Sequence, residues 1–291
     1  MPEDGAAIQH VSDTAIWVAY YRALESERPD ALFRDDLAKT LVGTRGRAIA
    51  ENLKRSSRYT RWSVIIRTAI IDDFIRKKVA EGVDLVLNLG AGLDTRPYRL
   101  ELPASLHWIE VDYPGIIEHK QRLLKAETPR MNLERITLDL ADVDERRKLF
   151  ARLNTQFKSI LVLTEGVIPY LTEEHVASLA DDLHAEGNFR FWIAEFFSPR
   201  IYGYFKTKQS MKRMKNAPFR FFPEDWFGLF RGHGWAPEEI KYLGEESQKL
   251  GRTPPYPWWV KLLLRFAKEE KVAASRKMSA YLIMARQPAI A

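Results

Sequence analysis

The stretch DLVLNLGAGLDTRPYRL, residues 84–100, decides how the rest of the chain is read. An apolar run stops at Gly90 and Gly92, an acid follows at Asp94, and basic residues close the segment. Glycine lacks a β-carbon, so a chain leaving a strand here can turn sharply and admit a ligand close to its backbone. Two glycines also make an ordinary turn, so the flanking sequence must decide. Downstream, short apolar runs alternate with amphipathic segments: LHWIEVD (106–112), RITLDL (135–140), SILVLTEG (159–166) and FRFWIAEFF (189–197). Helices are expected to begin near Pro114, Asp144 and Thr172; the last has a capping threonine and acids in its first turn. Such alternation implies a mostly parallel sheet flanked by helices, with right-handed crossovers.

Both ends of the chain depart from this rhythm. Residues 6–80 show apolar residues at helical spacing in TAIWVAYYRALE, ALFRDDLAKTLVG and TRWSVIIRTAIIDDFIRKKVA. The expected organisation is a helical cap over 1–80 and an α/β domain over 81–291, forming one structural unit. GWAPEEIKYLG (234–244) and SAYLIMARQ (279–287) read as two strands that make the sheet mixed at one edge. A polar segment over 199–222 is inserted before them as a lid. Between them, PYPWWVKLLLRFAKEEK (255–271) reads as a helix docked on the sheet, although its Trp, Leu and basic residues also suit a helix lying at a membrane interface.

Composition narrows the chemistry. The chain of 291 residues has no cysteine, which removes disulfides, thiolate metal sites and a cysteine nucleophile. No apolar run is long enough to span a bilayer, and MPEDGAAIQHVSD lacks a secretory pattern, so a cytoplasmic setting is the default expectation. The net charge of +6 is spread along the sequence, apart from KTKQSMKRMK and RFAKEEKVAASRK. It suits attraction of an acidic small molecule better than a nucleic-acid groove.

In an open α/β sheet, ligands collect at the carboxyl ends of the strands, where strand order reverses. The second strand ends on Asp112, twenty residues past Gly92, and an acid there can accept both ribose hydroxyls. That much fits a dinucleotide or S-adenosylmethionine. The third glycine of a dinucleotide fingerprint is replaced by Thr95, and Asp94 is a poor neighbour for a pyrophosphate. Asp94 suits a ligand with an ammonium and a sulfonium. Such a ligand also carries a carboxylate, for which Arg67, on the helix before the first strand, is a bidentate partner.

VLNLGAGLDTRPYRL, WIEVDYPGIIEHKQRLL, LDL and LTEGVIPYLTEEHVASL together resemble the leucine carboxyl methyltransferase-like family of S-adenosylmethionine-dependent methyltransferases. The likeness includes the bacterial branch associated with polyketide O-methylation and runs from about residue 12 to 187. The resemblance implies a Rossmann-like class I methyltransferase fold with a mostly parallel seven-stranded sheet and an antiparallel edge strand. It also implies the site: Arg67 on the methionine carboxylate, the Gly90–Ala91–Gly92 loop against methionine and ribose, and Asp112 on the ribose. Asp139 and Leu140 would flank adenine, and Glu165 would lie near the ammonium or sulfonium. Asp94 belongs to the motif and could instead buttress the loop through a salt bridge to Arg96.

Methyl transfer is an in-line displacement, so positioning behind the methyl matters most. A carboxylate acceptor is ionised at neutral pH and needs no base, whereas a phenol benefits from one. Tyr170 and His233 are the available candidates, neither at a position that commands the role. The expected function is therefore O-methylation of a small acidic or aromatic molecule, a methyl ester being the favoured product. A nicotinamide-dependent oxidoreductase and a non-catalytic nucleotide- or RNA-binding module are the alternatives. No metal is expected, and the oligomeric state is open.

Overall fold

A computed structural model describes residues 11–43, 57–207 and 218–288. Seven strands form one sheet: β1 (Leu85–Leu89), β2 (His107–Asp112), β3 (Asn132–Thr137), β4 (Ile160–Leu163), β5 (Phe189–Phe197), β6 (Trp235–Tyr242) and β7 (Ser279–Arg286). Their order is β3-β2-β1-β4-β5-β7-β6. The first five pair in parallel, while β7 runs antiparallel between β5 and β6, giving the mixed edge that the last two strand patterns led us to expect. Connections from β1 proceed to one side and those from β4 to the other, so strand order reverses between them.

The buried patterns explain this arrangement. Every residue of β1 and β4 is buried, as a central parallel strand covered on both faces requires. On one face, α3 (Ser57–Ala80) lays Ile66, Ile70, Ile71, Phe74 and Ile75 over Val86, Trp108, Leu161 and Ile193. On the other, α6 (Val143–Gln156), α7 (Glu173–Ala185) and α9 (Trp226–Gly232) cover Leu87, Val162, Trp192 and Trp235. Helices α6 and α7 start where the sequence signals them. Asp142 accepts from the Glu145 amide, and Thr172 accepts from the His175 amide. Ahead of α3 lie α1 (Val11–Ser26) and a short helical stretch over 36–43, labelled α2, and one turn, α4 (Arg96–Arg99), follows β1; residues 44–56 fall outside the described structure.

Three readings change. The third strand starts and ends three residues earlier than RITLDL suggested, because its ladder with β2 runs from His107↔Asn132 to Asp112↔Thr137. Asp139 therefore sits in the loop beyond the strand. The insert is helical at α8 (Pro199–Phe205), and residues 208–217 of it lie outside the described structure. The largest departure concerns the WWVKLLLRF segment, α11 (Trp258–Phe266). It does not dock on the sheet: Trp258, Trp259, Leu262, Leu263 and Phe266 are exposed. The preceding helix α10 (Leu243–Lys249) and Leu250 already join the core between α3 and the sheet.

Helix α5 (Pro114–Leu123) is tied to the sheet by charge. Its Lys120 Nζ donates to Glu110 Oε1 at 2.6 Å, and Arg135 Nε donates to Oε2 at 2.8 Å. Lys120 and Glu110 are both fully buried. Removing Lys120 leaves the buried Glu110 with Arg135 alone and one oxygen unmet, whereas neutralising both members of the pair is tolerated better. Lys120→Met should therefore cost roughly 3 kcal/mol in urea unfolding, with the Glu110→Gln/Lys120→Met double variant recovering part of the loss.

Candidate active site

A cavity of about 360 Å³ opens at the carboxyl ends of β1, β2 and β4, at the point of strand-order reversal. Arg67, Gly90, Ala91, Gly92 and Asp94 line it, as do Asp112, Asp139, Leu140, Glu165 and Tyr170. The residues singled out for ligand binding thus converge from α3 and from the loops after β1, β2, β3 and β4. His233 is not among the lining residues. It caps the carboxyl end of α9, and its Nδ1 lies 2.6 Å from Asp181 Oδ1 on α7.

The glycine loop is held to the second strand by its own backbone. Gly90 and Ala91 donate to the Val111 carbonyl at 2.8 and 3.1 Å, and Gly92 donates to Asp112 Oδ2 at 2.6 Å. Gly90 has φ +69°, and a β-carbon there would stand 2.5 Å from Val167 Cγ2. Only glycine meets both demands. Asp112 also accepts from the Tyr113 amide at 2.7 Å, so each of its oxygens already has one donor and keeps capacity for another. Burial pushes its carboxyl above the ordinary range despite these bonds. Asp139 accepts from the Ala141 amide at 2.9 Å and from the Tyr113 hydroxyl at 3.3 Å.

Beside the loop lies a cluster of buried charges. Arg96 donates through Nε to Asp72 at 2.7 Å and through Nη1 to Asp94 at 2.7 Å and Glu165 at 2.9 Å. Arg99 adds two bonds to Asp72, at 2.6 and 2.8 Å. Arg67 Nε stands 2.9 Å from Glu165 Oε1, too bent for a hydrogen bond. Asp94 also takes a bond from Asn88 Nδ2 at 2.9 Å, which explains a polar residue inside a central strand. Asp94 therefore buttresses the loop while still facing the cavity. Burial by itself would raise these carboxyls. The Arg96 and Arg67 guanidiniums overcome it at Glu165, Arg96 leads at Asp94, and Arg99 with Arg96 at Asp72, leaving all three below the ordinary carboxylate range.

Sequence reasoning left three details unread: the further partners of the buried arginines, the residues by which the N-terminal cap lines the cavity, and Glu195. Arg96 pairs with Asp94 as the motif led us to expect, but its bond to Asp72 and the part played by Arg99 carry no mark in the sequence that separates a buried charge from a solvated one. Helix α1 closes the cavity with Thr14, Ala15, Val18 and Arg22, and Arg22 is itself fixed by Asp35 at 2.7 Å and by the Leu93 carbonyl. The described part of the 199–222 insert lines none of the cavity. It abuts the wall instead, through Arg220 N to the Pro169 carbonyl at 2.7 Å and Phe219 against Tyr170. The third is Glu195 on β5, which stands near Arg67 and Glu165 without lining the cavity. It is 2 % exposed, and among the described residues neither carboxyl oxygen has a hydrogen-bond partner.

Comparison with known proteins bears on this geometry. The leucine carboxyl methyltransferase family matches residues 15–184, more than half of the chain. A Streptomyces coelicolor protein named as a candidate S-adenosyl-L-methionine-dependent methyltransferase is 36% identical over 260 residues, covering 82% of this chain and 87% of that protein. A protein with the same assignment from Streptomyces avermitilis is 30% identical over 255 residues, covering 83% and 89%. The fold is similar to that of a DUF574 family protein from Streptomyces avermitilis, with a TM-score of 0.61 at 12% identity, covering 94% of this chain and 97% of that one. A methyltransferase-designated structure from Thermobifida fusca gives 0.56 at 14% identity, covering 86% and 92%.

Glu195 yields a test of the electrostatics. Burial pushes its carboxyl up to about 8, above its ordinary value near 4.5. A folded value above the unfolded one means stability is complete below about pH 4 and is lost as pH rises toward 8. Glu195→Gln should match the parent in thermal unfolding near pH 4. At pH 8 it should gain on the order of 1–3 kcal/mol.

Proposed function

This chain belongs to the leucine carboxyl methyltransferase family of S-adenosylmethionine-dependent methyltransferases, and on that premise we propose that it esterifies a small carboxylic acid. The cavity suits the cofactor. Its wall carries Asp94, Asp112, Asp139 and Glu165 against Arg22 and Arg67, an acidic balance that favours a ligand with two cations and one carboxylate over a dinucleotide diphosphate. In this reading Arg67 takes the methionine carboxylate and Asp112 the ribose hydroxyls, through the oxygen capacity the backbone amides leave open. Asp139 and Leu140 flank adenine, Glu165 faces the ammonium or sulfonium, and the Gly90–Gly92 backbone lies against the ligand. When bound, S-adenosylmethionine supplies an electrophilic methyl on a sulfonium, a leaving group that needs no acid.

One observation favours a carboxylate acceptor. The titratable groups at the Arg67 end of the cavity are fixed in states unsuited to taking a proton. Glu165 is held ionised and weakly basic by two guanidiniums, and burial keeps the Tyr170 phenol protonated. A protonated phenol donates a hydrogen bond, which suits an acceptor that arrives as an anion. The cavity around Tyr170 suits an apolar body on that acid, since Val18, Val167 and Leu171 line it beside the phenol. In this reading the acid is polyketide-like, in keeping with the resemblance to the branch associated with polyketide O-methylation. What the residues would contribute is orientation and exclusion of water, with the acceptor oxygen held in line behind the methyl.

Calorimetry with S-adenosylmethionine, S-adenosylhomocysteine and NADH should show binding of the first two alone; NADH binding would favour an oxidoreductase. Arg67→Ala should weaken the first two by at least tenfold, about 1.4 kcal/mol, with an unchanged circular dichroism spectrum. Incubation with methyl-labelled cofactor and a panel of aromatic acids should yield base-labile label. Base-stable label would replace the ester by an ether or another product.

A further inference from the structure

Helix α11 presents its apolar side outward. Trp258 is 77%, Leu263 62% and Phe266 83% exposed, and Trp259 and Leu262 are exposed beside them. At about 100° per residue these five cover an arc of roughly 140°. Val260 and Leu264, on the opposite side, are half-buried. The helix thus docks by a narrow back and leaves its main apolar face uncovered. Scattered exposed hydrophobics need no explanation, but a contiguous face with two tryptophans and a phenylalanine does.

The segment is anchored rather than loose. Before it, Trp62 Nε1 donates to the Arg252 carbonyl at 2.7 Å, and Arg252 pairs with Glu25 at 3.1 Å and Asp30 at 2.9 Å. After it, α12 (Glu269–Arg276) sits against α10 so closely that a β-carbon on Gly244 would stand 2.6 Å from the Arg276 backbone. The whole connection leaves β6 at Tyr242 and enters β7 at Ser279, level with Phe197 at the carboxyl end of β5. The exposed face therefore belongs to a connection rooted at the same end of the sheet as the cavity.

Charge identifies the occupant. From Trp258 to Lys268 the sequence holds three basic residues and no Asp or Glu, with Glu269 and Glu270 following in α12; Lys249 and Arg252 before the helix are already paired with carboxylates. Arg265 and Lys268 are exposed next to the apolar arc. An outward arc of Trp, Leu and Phe bordered by Lys and Arg is the pattern of a helix that lies in the plane of a membrane interface. Aromatic rings settle at headgroup level and basic side chains reach the anionic surface. A second copy of the chain is a poorer occupant. Two such faces would bring like charges together, and a stable protein contact takes about 800 Å² per partner, more than a nine-residue helix offers. No helix among the described residues is long and apolar enough to cross a membrane, so any association is peripheral.

We propose that α11 is a membrane-docking helix that binds anionic lipid surfaces in the interfacial plane through Trp258, Trp259, Leu262, Leu263 and Phe266. The test is flotation of the full-length protein with vesicles of phosphatidylcholine, with and without phosphatidylglycerol. Binding should require phosphatidylglycerol and weaken with added salt as the basic border is screened. Leu263→Glu/Phe266→Glu, both at exposed positions, should reduce binding at least tenfold while leaving S-adenosylmethionine affinity and the melting temperature unchanged. Brominated acyl chains should quench tryptophan fluorescence of the parent protein, a readout independent of any variant. Absence of flotation with either vesicle would overturn the proposal, as would undiminished binding by the double variant. So would a concentration-dependent dimer that the double variant dissociates, since a second copy would then be the occupant.

Discussion

Arg96 is buried between three segments far apart in the chain, and its guanidinium reaches Asp72 on α3, Asp94 after β1 and Glu165 after β4. Burying a guanidinium is costly unless its charge is met, and here three carboxylates meet it. Arg67 and Arg99 bring the count to three cations facing three anions, all within one layer at the edge of the sheet. None of these groups can leave without exposing a partner to an apolar surrounding. The result is a wall whose parts hold one another in place before any ligand arrives, which is what a site that works by orientation requires.

That wall also sets the protonation states around the cavity. Glu165 remains a carboxylate because two guanidiniums face it, although it lies where burial would neutralise it. At Glu195 burial outweighs the attraction of Arg67, and the neighbouring Glu165 charge adds to the rise, so it goes the other way. Two glutamates on adjoining strands thus hold opposite states because one is paired and the other is not. A family whose chemistry needs a positioned methyl donor more than a proton carrier is consistent with charges arranged for holding.

How much of the site could be read beforehand follows the physics of each residue. Gly90, Gly92, Asp94 and Asp112 were legible because their constraint is local: a strand exit that must turn, and an acid at the next strand tip. Arg67 came from the family resemblance and from the charge of the expected ligand, and it does line the cavity. Arg96 was legible as part of a motif, but its bond to Asp72 was not, since the two lie 24 residues apart and meet only when α3 crosses the sheet. That the N-terminal helices cap the pocket was legible, but which residues of α1 line it was not, because a lining residue such as Thr14 or Val18 looks like any other helix residue. The fate of WWVKLLLRF was misjudged for a related reason. An amphipathic period says that one face avoids water and is silent about what covers it.

Local pattern determined the strand-helix alternation, the sheet, the glycine turn, the helix caps at Thr172 and the segment near Asp142, and through them the fold and cofactor class. These depend on spacing and backbone freedom, which neighbours in sequence settle among themselves. Tertiary structure alone decided which charges are buried, which residues of the cap line the cavity and which apolar face stays uncovered. Each of those depends on whether a surface is already occupied, as α10 occupies the place that α11 would have taken. Competition for buried surface is a property of the whole fold, and no stretch of sequence contains it.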